Sequence, residues 1–186
     1  MSKQNSFICT SHGFIKSIVL GIVMSVVSVN AQTEVTNSSC NCDEYISRNV
    51  DKVTGNKSVS SKEMLIISKD GGKNGFGIFM MKSSKIIILS ITAVGAGSCI
   101  DDDAKMNILF RDGTRLQLTN DWKFNCDAKY TQYFGNVFGK KKELEMFKKE
   151  VETMRIWTTK SYVEEDFTPE QSKQLMNMFI CLTMED

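Results

Sequence analysis

The stretch Cys99-Ile-Asp-Asp-Asp-Ala-Lys-Met106-Asn-Ile-Leu-Phe110-Arg-Asp-Gly113-Thr114-Arg-Leu-Gln-Leu-Thr119, followed by Cys126, decides the fold class. Its apolar residues alternate with polar ones: Met106, Ile108 and Phe110 on the first run, Leu116 and Leu118 on the second. A period of two marks β-strands with one buried face. The core residues are even-numbered in both runs, and this selects the register. A two-residue Asp112-Gly113 turn would pair odd with even positions and split the apolar faces. A three-residue loop Arg111-Asp112-Gly113 pairs Phe110 with Thr114, Ile108 with Leu116 and Met106 with Leu118. Gly113 then takes the left-handed position of a type I turn with a G1 bulge. Cys99 and Cys126 fall on neighbouring segments at one end of this hairpin, placed to close a disulfide.

Oxidised cysteines require export, and the N-terminus carries the pattern for it. Residues 1–31 hold Lys3, His12 and Lys16 but no acidic residue, then the apolar run Ile18 to Val29 and the small-residue end Val29-Asn30-Ala31. This is the layout of a secretory signal peptide, with cleavage expected between Ala31 and Gln32. An uncleaved anchor is the rival reading, but the run falls short of the roughly 20 apolar residues that span a bilayer. Cys40 lies too far downstream of that point for a lipoprotein signal. The expected division is therefore a signal peptide over 1–31, a cysteine-containing leader over 32–47 and one β-rich domain over 48–186.

The expected mature chain carries 21 basic residues (23 less Lys3 and Lys16) against 22 acidic ones, a net charge of −1 with both signs interspersed. No polybasic face emerges, so neither nucleic acid nor anionic membrane is an expected partner. The chain's one histidine, His12, departs with the signal. No imidazole is left for a nucleophile pair, a general base or a mixed zinc site.

Five cysteines remain: Cys40, Cys42, Cys99, Cys126 and Cys181. Two bridges and one free thiol admit 15 arrangements by counting. The expected pairs are Cys99 with Cys126, and Cys181 with either Cys40 or Cys42. A redox-active dithiol at Cys40 and Cys42 is the alternative, but the flanking Asn37-Ser-Ser reads as a flexible leader, not the helix N-terminus that suits a reactive thiol.

Along the rest of the chain, Tyr45 to Val53 and Lys57 to Ser68 read as extended segments around a turn at 54–56. Phe76 to Met81 and Ile86 to Ile91 read as long strands, continuously apolar and so expected to be covered on both faces. Lys129 to Phe138 is strand-like, with Tyr130, Gln132 and Phe134 on one face and Tyr133 on the other. Lys140 to Val151 shows helical spacing through Leu144, Phe147 and Val151. Met154 to Thr158 and Tyr162-Val163 read as short strands. The last element has the strongest local signal: Thr168 as N-cap, Pro169 in the first turn and Gln171 completing a capping box, ahead of Leu175, Met178, Phe179 and Leu182. The expected class is α+β: a mainly antiparallel sheet or sandwich of about 6 to 8 strands with two helices near the C-terminus, stapled by disulfides.

No P-loop, dinucleotide fingerprint, nucleophile elbow or zincin motif occurs, and no cofactor is implied. Asp101-Asp102-Asp103 is the densest acidic run, yet it lacks the alternation of a calcium loop and reads as a solvated turn. Glu164-Glu165-Asp166 offers carboxylates for acid and base work, but acidic residues before Thr168 also suit the positive end of a helix. Trp157, Tyr162 and Tyr133 form a possible ligand surface for a sugar or peptide, against the commoner use of strand aromatics as core. Asn37 and Asn56 begin sequons that act as glycan acceptors only in a glycosylating host. The composite expectation is a secreted or periplasmic binding or structural protein with a protein or glycan ligand and no membrane anchor after cleavage. An exported carboxylate hydrolase and a thiol redox protein are its alternatives.

Overall fold

The computed structural model describes residues 41–95, 99–135 and 138–185. The signal-peptide and leader expectations over 1–40, with Cys40 and Asn37, lie outside these described residues. The deciding hairpin is β6 (Lys105–Phe110) and β7 (Arg115–Thr119), paired Met106 to Leu118 and Ile108 to Leu116. Phe110 donates to the Thr114 carbonyl at 3.0 Å, and Gly113 at φ 81° donates back to the Phe110 carbonyl. The three-residue loop arises because only this register buries every even-numbered apolar residue on one face.

Ten strands occur among the described residues, more than the 6 to 8 expected, and the segment read over Lys57 to Ser68 divides into two, Lys57–Ser61 and Leu65–Ile67. The first sheet has six strands: β1 (Ile46–Val50), β2 (Lys57–Ser61), β4 (Gly75–Ser83), β5 (Ile86–Val94) and β8 (Lys129–Gly135) in that order, with β3 (Leu65–Ile67) also on β4. The second has four, ordered β10 (Tyr162–Asp166), β9 (Val151–Trp157), β6, β7. All pairings are antiparallel. Helix α1 (Lys141–Met146) is short, and α2 (Pro169–Met184) closes the chain.

The two sheets share a core through α2 and one aromatic cluster. The α2 capping box forms as expected: Gln171 N–H donates to Thr168 Oγ1, and Thr168 N–H donates to Gln171 Oε1. Its stripe Leu175, Met178, Phe179 and Leu182 is buried, touching β1 to β4 of one sheet and β9 of the other. Phe147 sits at the centre. Its ring stacks on Phe179 at 4.2 Å and meets Phe134 and Phe110 edge-on at 5.8 and 6.3 Å, which joins both sheets to the helix. Offset and edge-on contacts of this kind add to the area the rings bury.

Three expectations change. The helical spacing over 140–151 ends early: α1 stops at Met146, Phe147 to Lys149 turn, and Val151 starts β9 opposite Phe110. Cross-strand pairing with β6 outweighs a short polar helix whose own residues bury nothing. The apolar runs of β4 and β5 are not covered on both sides. Phe76, Ile78, Met80, Ile87, Leu89 and Ile91 face the core, but Phe79, Met81 and Ile88 on the outer face are half-buried. Finally, the compact unit begins at Asn41, so residues 41–47 belong to the body. Cys42 is bonded to Cys181 on α2, Ile46 is buried in β1, and Tyr45 OH accepts from Asn177 Nδ2. The second bridge joins Cys99 to Cys126 beneath the hairpin.

Candidate functional site

The outer face of the four-stranded sheet is where parity puts the side chains the core rejects. Met154 and Ile156 point inward and are fully buried, so Arg155 and Trp157 point outward. Register then assembles cross-strand rows. One runs Glu164, Arg155, Asn107, Gln117 over all four strands. Arg155 Nε donates to Glu164 Oε2 at 2.6 Å, and Gln117 Nε2 to Asn107 Oδ1 at 2.8 Å. The next row contains Asp166, Thr153, Leu109 and Arg115, where Thr153 Oγ1 donates to Asp166 at 2.8 Å.

At the end of these rows Trp157 pairs with Tyr162, their ring centroids 5.3 Å apart and edge to face. Both are exposed, at 41% and 45%. The Arg155 guanidinium lies 4.4 Å from the Tyr162 ring centroid and 5.8 Å from that of Trp157, a cation–π arrangement. Glu164 fixes it there and holds the guanidinium more firmly charged than a free arginine. Beside this cluster the rows form a shallow open trough of about 510 Å³. Amide, guanidinium and carboxylate groups lie in its floor, and the aromatic pair stands at its margin.

The expected ligand surface is therefore divided. Trp157 and Tyr162 come together, whereas Tyr133 lies on the outer face of the other sheet, stacked on Phe138 at 5.1 Å. Tyr130 and Phe134 are buried, and burial raises the Tyr130 hydroxyl far above its ordinary pKa. Arg155 is the residue that the sequence reading passed over. Its signal was parity, since it sits between two core residues and next but one to an exposed tryptophan.

The carboxylates do not gather on one face. Glu164 and Asp166 face outward, each engaged by a cation, with Lys69 2.8 Å from Asp166. Glu165 points inward and is buried, which raises its pKa, while Lys69 and Thr153 lower that of Asp166. Asp101 to Asp103 form a turn, closed by the Ala104 N–H donating to Asp101 at 3.3 Å. Asn56 is exposed in the turn before β2. Cys42 is committed to Cys181, a partner 139 residues away. Among the described residues no helix is long and apolar enough to cross a membrane.

Comparison with protein families, with curated proteins and with solved structures finds no match to this chain.

Proposed function

We propose that this is an exported, non-catalytic binding protein that takes an oligosaccharide on the outer face of its four-stranded sheet. The observation that carries the reading is the exposed Trp157–Tyr162 pair with Arg155 held against it by Glu164. A sugar ring presents an apolar C–H face and a rim of hydroxyls. Exposed aromatic rings suit the first, and in-plane amides, guanidinium and carboxylate suit the second. An open face of this kind suits an extended ligand better than a small enclosed one. Export is supported by the N-terminal pattern and by two disulfides, which persist in oxidising compartments.

Titration with a panel of neutral and acidic oligosaccharides, followed by backbone NMR shifts, tests this. Shifts centred on β9, β10 and β6 are expected, with binding at least tenfold weaker in Trp157→Ala. Binding that survives this substitution unchanged, or that maps to Tyr133 and Phe138 instead, rejects the assignment.

A further inference from the structure

The trough on the outer face of the four-stranded sheet holds three charged side chains, Arg155, Glu164 and Arg115, beside the amides of Asn107 and Gln117 and the apolar Leu109. Two of these charges satisfy each other, since Arg155 Nε donates to Glu164 Oε2 at 2.6 Å. Arg115 has no such partner. Among the described residues no hydrogen bond and no ion pair reaches its guanidinium. The acids around the hairpin and along its row are engaged elsewhere. Asp112 pairs with Lys149 at 2.8 Å and accepts from Thr114, and Glu150 pairs with Arg111. Asp166, at the far end of the Arg115 row, pairs with Lys69. Glu152, at the bulge opposite Leu109 and Phe110, does not line the trough. The trough therefore carries one uncompensated positive charge, on β7, away from the rings.

Register fixes where that charge stands. Arg115 pairs with Leu109 and Leu109 with Thr153, while Arg155 pairs with Asn107. Arg115 and Arg155 are thus two strand spacings and one row apart, roughly 12 Å between their backbones at ordinary sheet geometry. The hydrogen-bonded amides of Asn107 and Gln117 lie between them and suit hydroxyls. A guanidinium presents a planar fork of donors that fits two oxygens of one carboxylate or sulfate. Hydroxyls supply hydrogen bonds to such a fork but no opposite charge, whereas an oxyanion supplies both.

We propose that the saccharide taken by this face is acidic, its carboxylate or sulfate ester bound by Arg115 while another ring of the same chain lies on Trp157 and Tyr162. The inference rests on the saccharide reading above and adds the ligand's charge and the residue that selects it. Arg115 adds affinity for the charged chain and none for its neutral counterpart. Because its side chain is exposed, added salt weakens the contact.

Matched pairs test this on the folded protein: a galacturonate tetrasaccharide against its methyl ester, and a sulfated galactan tetrasaccharide against its desulfated form, by calorimetry at low and high salt. The acidic member of at least one pair should bind about tenfold more tightly than the neutral one at low salt, and which pair does so separates carboxylate from sulfate. Arg115→Gln, on the exposed strand face, should melt like the wild type, bind the neutral member as before and lose the preference. Trp157→Ala should weaken both members of a pair alike, which separates the ring contact from the charge. Equal affinity for acidic and neutral members overturns the proposal and leaves the saccharide reading standing; failure of every saccharide to bind overturns both. Retention of the preference in Arg115→Gln also overturns it, and self-association of that variant with the preference intact would show that the charge guards the β7 edge instead.

Discussion

The Asp121 carboxylate lies 2.6 Å from the Lys140 ammonium and also accepts the outward backbone N–H of Tyr133 at 2.9 Å. One side chain thus ties Lys140, the N-cap of α1, to the chain before β8, fills a vacant position on the β8 edge and accepts from the buried Gln132 amide. The pair is three-quarters buried on both sides, so it is more than a surface ion pair.

Asp121→Ala removes the acceptor and leaves a sheltered amide and ammonium without a partner. A loss of about 2–3 kcal/mol is expected in urea unfolding. Asp121→Asn retains an acceptor for Tyr133 and should lose less. Equal losses in the two variants would show that the ion pair, and not the sealed edge, carries the effect.

Phe147 joins three elements that are distant in sequence. Phe147→Ala should cost about 3–5 kcal/mol and lower the unfolding midpoint without changing the far-ultraviolet spectrum of the folded state. Val53→Ala, at a fully exposed position, serves as the comparison and should stay within about 0.5 kcal/mol of the wild type.

The two bridges constrain the unfolded chain unequally. Loop-closure entropy gives about 5 kcal/mol for Cys42–Cys181, which spans 139 residues, and about 3.5 kcal/mol for Cys99–Cys126, which spans 27. Guanidinium unfolding of the paired serine variants should therefore rank the loss of Cys42–Cys181 as the more damaging. The reverse order would mean that the hairpin bridge also supports native contacts.

Glu165 carries a testable pH dependence. Burial raises its folded-state pKa above that of the unfolded chain. The native state then holds its proton over a window in which the unfolded state has released it, so this residue's contribution to stability falls as pH rises through that window. Glu165→Gln should remove that slope and raise the melting temperature at neutral pH. The gain should vanish well below the ordinary glutamate pKa. A variant less stable than the wild type at neutral pH would show instead that the ionised carboxylate is needed where it sits.

Residue patterns with short reach were legible in advance. The β6–β7 register, the left-handed Gly113, the α2 cap at Thr168 and Gln171, and the opposed faces of Tyr130 and Tyr133 each depend on residues within a few positions of one another. The break at Met146 was not legible, because the spacing of Leu144, Phe147 and Val151 satisfies a helix equally well. Only the presence of β6 beside Val151 makes the strand the better use of that segment. The candidate site was half visible: Trp157 and Tyr162 stood out as aromatics, but their pairing depends on the β9–β10 register, and Tyr133 could be assigned to a different sheet only once the strand order was known.

By itself, then, the sequence determined alternation, turns and caps, since local sterics and the burial of one face per strand settle these within a single hairpin or helix. The tertiary structure decided how two sheets divide the ten described strands, that Cys42 is the partner of Cys181, and that Arg155 lies against a pair of exposed rings. Those outcomes depend on contacts between residues far apart in the chain. Their loop-closure cost is recovered only when the whole core around Phe147 assembles at once.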